Sequence, residues 1–305
     1  MSDSTDFVPG SHYAFQNPIP PADAGAARLA GRDLAYAGLS KAQRLDLYLP
    51  EVAGPHPLII SVHGGAFMGG DKADQQLQPM LAGLARGYAV ASINYRMSGE
   101  ALFPALIQDA KAAVRWLRAH AAVYDLDPTR FAAWGGSAGG WQVLMMGVTG
   151  GTPVFAPEGV PHAEQSDRVQ AVAAWFPPTN FIKMDEHLAA SGLAPAAEEA
   201  HSGANSPESL LLGAQIGTVP ELVRAADPAT YLHPAIPPML LQHGTGDFIV
   251  PYQQSVEFGA AAERLVPGRV RVELLAGAGH GDERFGAPDN VARVLDFLDQ
   301  NLARM

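Results

Sequence analysis

The sharpest constraint on the fold lies where a strand-like run, Arg130 to Trp134, meets Gly135-Gly136-Ser137-Ala138-Gly139 and then the helical-looking Gly140-Trp141-Gln142-Val143-Leu144-Met145-Met146. A chain that turns from strand to helix within five residues leaves no room for a Cβ beside the turn. Glycine two before and two after Ser137 therefore fits a tight, strained elbow that holds a hydroxyl out at the carboxyl edge of a sheet. The pentapeptide alone is weak, because 32 glycines in 305 residues produce such matches by chance. The rest of the chain decides whether Ser137 is a nucleophile or an ordinary turn residue.

Other stretches repeat the strand character of Arg130 to Trp134. Pro57 to Val62 is a continuous apolar run, as expected of a strand buried on both faces, and Tyr88 to Ile93, Val169 to Phe176, Pro238 to Gln242 and Val270 to Leu275 read the same way. Asp33 to Tyr36 and Leu45 to Leu49 alternate with period two, which suggests antiparallel edge strands. Between the buried runs lie helical patterns, clearest from Ala105 to Tyr124, where Ile107, Ala110, Val114, Leu117 and Ala121 share one face. Strands alternating with helices imply crossover units and an α/β fold with a mostly parallel central sheet flanked by helices. Residues 1–30, with five prolines or glycines between Pro9 and Pro21, read as an irregular arm, and residues 31–305 as a single domain. From 177 to 231 the rhythm breaks into Ala, Pro, Ser and Glu with short helical pieces, which reads as a small cap inserted over the carboxyl edge of the sheet.

Bulk properties narrow the choice of partner. A formal net charge of −11 argues against nucleic acid and against an anionic membrane surface. There is no run of about 18 apolar residues able to span a bilayer and no leader-like start, so a cytoplasmic protein is the simplest expectation. The absence of cysteine removes disulfides and thiolate metal sites, and the ten histidines form no zinc pattern.

A serine nucleophile needs a base, an orienting acid and a site for the oxyanion, and three loops after buried runs offer them. His63-Gly64-Gly65-Ala66-Phe67 follows Val62, and its adjacent glycines let backbone N–H groups point into a cleft. Gly64, Gly65 and Ala66, with Ala138 after the nucleophile, are the candidate oxyanion donors. His63 itself reads as a histidine that hydrogen-bonds its own loop. His243-Gly244-Thr245-Gly246-Asp247 follows the run ending at Gln242 and supplies Asp247 as candidate acid, the alternative being a turn aspartate before Pro251. Ala276-Gly277-Ala278-Gly279-His280-Gly281 follows Leu275 and supplies His280 as candidate base. The chain order Ser137, Asp247, His280 is that of the α/β-hydrolase fold and not of the serine proteases.

From Leu45-Asp46-Leu47-Tyr48-Leu49-Pro50 through the His63 loop, Asp109 to Arg118, Gly135 to Gly140, His243 to Pro251 and Gly277 to Gly281, the chain resembles hormone-sensitive-lipase-like esterases, and within them the feruloyl and acetyl-xylan esterase-like branch. The resemblance implies hydrolysis of a small-molecule carboxylic ester, short-chain or aryl/acetyl, through an acyl-enzyme, with no cofactor and with a homo-oligomer as an open option. Its alternatives are an arylformamidase-type amide hydrolase and a ligand-binding homologue that has lost turnover. Phe67 and Trp141 are the candidate substrate-binding residues; for Trp141 the competing reading is core packing on the first turn of its helix.

Overall fold

The computed structural model describes residues 19–25, 27–192 and 200–303. Its described residues build one eight-stranded sheet: β1 (Arg28–Ala35), β2 (Arg44–Leu49), β3 (His56–Val62), β4 (Ala89–Ile93), β5 (Leu126–Gly136), β6 (Ala171–Trp175), β7 (Met239–Gly244) and β8 (Val270–Leu275), in spatial order β1-β2-β4-β3-β5-β6-β7-β8. The β1–β2 and β2–β4 pairings are antiparallel. Every pairing from β4–β3 to β7–β8 is parallel.

Side-chain alternation along a strand makes the sheet a divider between two cores. In β5, Phe131 and Ala133 face a core shared with α2 (Ala105–Ala119), α3 (Ala138–Thr149) and α7 (Gln253–Leu265). Ala132 and Trp134 face the other core, closed by the helical segment Gln75–Arg86, which contains α1 (Gln78–Leu81), and by α8 (Pro288–Asn301).

Three sequence expectations need correction. β2 is not an edge strand: it lies between β1 and β4, and Leu45, Leu47, Tyr48 and Leu49 are all buried. β8 is not buried on both faces. It closes the sheet as an edge, and the charges of Arg271 and Glu273 alternate with its valines, the pattern of a half-exposed strand. The helix begun at Ala105 stops at Ala119, where His120 caps it.

Of the expected arm, residues 1–18 lie outside the described residues. Pro21 bridges to Asp74, the Ala22 N–H donates to the Ala73 carbonyl at 2.8 Å, and β1 begins at Arg28. The excursion from 177 to 231, with 193–199 outside the described residues, forms α4 (Met184–Ala190), α5 (Pro207–Leu212) and α6 (Pro220–Ala226). It packs on the α3 and α7 side, with the Phe103 N–H donating to Leu211 at 2.9 Å. Among the described residues no helix is long and apolar enough to cross a membrane.

Candidate active site

Ser137 stands between the last residue of β5 and the first of α3, with φ 56° and ψ −126°, a backbone conformation that L-residues rarely adopt. The turn is held from both sides: the Ser137 N–H donates to the Trp175 carbonyl at 2.9 Å, and the Ser137 carbonyl accepts from Trp141 at 3.0 Å. The flanking glycines are required by contact. A Cβ at Gly135 would lie 2.6 Å from the Val62 carbonyl oxygen, and one at Gly139 would collide with the same group.

The loops after β7 and β8 bring Asp247 and His280 to this turn. His280 Nε2 lies 2.9 Å from Ser137 Oγ, and His280 Nδ1 lies 2.8 Å from Asp247 Oδ2. With Nδ1–H donating to the carboxylate, Nε2 is left to accept the serine proton. Asp247 is buried, and its other oxygen accepts the Ile249 and Val250 amides, both at 2.9 Å. The same carboxylate thus makes the turn hydrogen bonds through one oxygen and the contact to His280 through the other. Burial works to raise its pKa, but the charge of His280 and hydrogen bonds from His243 and His280 outweigh burial and hold it well below the usual carboxylate range. His243, fully buried, donates from Nε2 to the Val250 carbonyl at 2.8 Å and pairs through Nδ1 with Ser255 Oγ at 2.7 Å, which fixes the loop that carries Asp247.

Gly65, Ala66 and Ser137 line one cavity together with His280. Among the described residues no hydrogen bond occupies the Gly65 or Ala66 amide. Ala138 opens α3, and an amide at the first helical position has no partner within its own helix. Gly64 departs from the expectation: its N–H donates to Gln76 Oε1 at 2.8 Å, so it is engaged and not open to a ligand. Its glycine identity has another cause, since a Cβ there would lie 2.8 Å from the Gly136 carbonyl oxygen and 3.1 Å from Ser137 Cβ. Ala66 takes φ 51°, so this position carries left-handed strain that a glycine would not. His63 is buried against Tyr95, with ring centroids 4.6 Å apart, and donates from Nδ1 to the Gly64 carbonyl at 2.8 Å. Burial lowers its pKa and it braces the loop.

Phe67 and Trp141 do not line the cavity. Trp141 has no exposed surface, its indole N–H donates to the Ala226 carbonyl at 2.8 Å, and its ring lies 5.3 Å edge-on from Phe67, itself buried. Both belong to the core beneath the excursion, because α3 turns Trp141 away from Ser137. The cavity wall is formed by residues the sequence did not single out: Phe176, with its ring 4.6 Å from that of His280, then Phe285, Gln76, and the facing surfaces of Gln75–Arg86 and α8. Among the described residues of 177–231 none lines it. That segment reaches the site indirectly, where His201 Nε2 donates at 2.9 Å to the carbonyl of Ile249, a residue of the cavity wall. The signal available in the sequence was the polar run Gln75-Gln76 with Gln78 shortly after the His63 loop.

The BD-FAE family model matches residues 45–261. The chain is 29% identical over 230 residues to the probable carboxylic ester hydrolase LipM of Mycobacterium tuberculosis, an alignment covering 74% of this chain and 50% of LipM. It is 30% identical over 254 residues to the esterase LipQ of the same organism, covering 81% and 56%. The chain thus spans about half the length of these curated relatives. Among solved structures, a truncated carbohydrate esterase from gut microbiota superposes with a TM-score of 0.81 at 27% identity, covering 93% of this chain and all of that one. With the family match extending over most of its length, the chain belongs to the BD-FAE family, within the α/β-hydrolase fold of hormone-sensitive-lipase-like esterases.

Proposed function

We propose that the protein is a serine hydrolase of carboxylic esters that works through an acyl-enzyme. The observation that carries this reading is the continuous relay from Asp247 through His280 to Ser137 Oγ, at 2.8 and 2.9 Å, opening on a cavity that also presents the Gly65 and Ala66 loop. The esterase relatives support an ester as the bond broken.

In the first step His280 Nε2 takes the Ser137 proton while Oγ bonds to the ester carbonyl carbon. The carbonyl π pair moves onto oxygen, and the amides of Gly65, Ala66 and Ala138 receive that charge. Collapse re-forms the C=O bond and breaks the bond to the alcohol, which leaves with the proton from His280. Water then gives a proton to His280 as it attacks the acyl carbon, and the acid departs as Ser137 recovers its proton. Asp247 holds the imidazole tautomer throughout and stabilises its cation.

Ser137→Ala is expected to lower kcat for p-nitrophenyl butyrate by about 10⁴ to 10⁶. A fluorophosphonate probe is expected to label the parent protein and not the variant. Near-parental turnover by Ser137→Ala overturns the assignment.

A further inference from the structure

The cavity in front of Ser137 has a volume of about 1010 Å³, the upper end for a small-molecule site and far more than an acetyl group fills. Its composition changes along its length. Next to the serine the wall is aromatic: Phe176 lies against His280, and Phe285 lies 4.7 Å from Phe176. Away from it the floor is aliphatic, made by Met80, Val291 and Leu295, all nearly buried. The two walls over that floor carry small side chains, Ala82 and Ala85 on one side and Ala292 on the other.

Arg86 lines the far end. Arg86 crosses from one wall to the other, donating to Asp296 at 2.6 Å, to Asp299 at 2.8 Å and to the Ala292 carbonyl at 3.3 Å, all on α8. Its charge is answered by those two carboxylates, so this end suits a methyl terminus and not an anion. From Pro288 to Leu295 the groove follows two turns of α8, roughly 10 Å at 1.5 Å per residue, the reach of an extended chain of about eight carbons.

We propose that this groove is a subsite for a straight aliphatic chain of about eight carbons carried by the ester. Small walls and an aliphatic floor fit a flexible hydrocarbon better than a second ring. This assignment rests on Ser137 being the nucleophile. The chain belongs either to the acyl or to the alcohol half of the ester, and the two have the same chemistry in the groove.

The experiment compares kcat/KM for p-nitrophenyl octanoate against butyrate, and for octyl acetate against butyl acetate, in the parent protein and in Ala82→Phe and Ala292→Phe. These variants fill the groove from opposite walls, so misfolding of one leaves the other to decide. In the parent, at least one octyl-to-butyl ratio is expected to exceed one, and that ratio is expected to fall at least tenfold in a folded variant. A fall in the octanoate ratio assigns the groove to the acyl half, and a fall in the octyl acetate ratio assigns it to the alcohol half. Parent ratios below one in both series, or ratios unmoved in both variants while fluorophosphonate still labels Ser137, overturn the subsite and leave the hydrolase reading intact. Failure of the parent to hydrolyse any of the esters or to take the label overturns both.

Discussion

On one face of the sheet Trp141, Phe67 and Phe181 pack ring against ring, with centroids 5.3 to 5.9 Å apart and no more than 2% of any of them exposed. On the other face Trp175, Phe176 and Phe285 make the same kind of cluster, yet the helices above them stand apart and leave the cavity that contains Ser137. The difference lies in the cover. Among the described residues, the first face is covered by α2, α3, α7 and parts of the excursion of residues 177–231, whereas the second is covered by the short segment Gln75–Arg86 and α8, pinned to each other by Arg86, and by Ala22, Ala24 and Ala27 ahead of β1. Among the described residues, aromatic clusters of the same make therefore border a cavity on one face and a close-packed core on the other.

Substitutions on the two faces test that contrast. Trp141→Ala, which empties a fully buried site and removes the partner of the Ala226 carbonyl, is expected to cost about 3–5 kcal/mol in urea unfolding. Asp227, next to that carbonyl, has its carboxyl pushed up to about 6 by burial, with the charge of Glu257 adding to it and the Ala229 amide and Lys183 opposing. A raised carboxyl means that the folded protein holds a proton that the unfolded chain has released, so stability falls as pH rises from about 4 to about 6 and stays lower above that. Asp227→Asn keeps a side-chain oxygen for the Ala229 N–H. Its stability relative to the parent is expected to rise by on the order of 2 kcal/mol between pH 4 and pH 7, read from paired unfolding curves.

The open face is expected to respond less. Arg86→Ala breaks partly exposed pairs and should cost about 1 kcal/mol, less in high salt, as a shift of the unfolding midpoint. Glu283→Gln, on the exposed rim of the cavity, should change stability by less than about 0.5 kcal/mol. Equal losses for Trp141→Ala and Glu283→Gln would erase the distinction between the faces.

The strands, their parallel order and the meeting of Ser137, Asp247 and His280 were legible because each depends on local signals: apolar runs, glycines where a Cβ collides, and loops that follow strands. The cavity was not. Every residue of α3 from Ala138 to Thr149 is buried, so hydrophobic periodicity offers no preferred face and nothing local says which way Trp141 turns. Gly64 shows a similar limit. Two glycines after a buried strand announce a close approach, but that Gln76 would take the Gly64 amide depends on a contact formed only when the next segment folds back. The alternating charges of Arg271 and Glu273, by contrast, were present in the sequence as the sign of a half-exposed strand, and the reading of Val270 to Leu275 as a run buried on both faces passed over them.

Arg86 joins two pieces of chain that are far apart in sequence, Gln75–Arg86 and α8, and between them in the chain run the strands whose ends carry Ser137, Asp247 and His280. Side chains that shape this end of the cleft are thereby carried on other pieces of chain than the turn that holds Ser137. Alterations at Ala82, Ala85 or Ala292 reshape the cleft on partly exposed positions where most substitutions are nearly neutral for folding. The shape of the cleft can therefore be altered without touching the strained turn that holds Ser137.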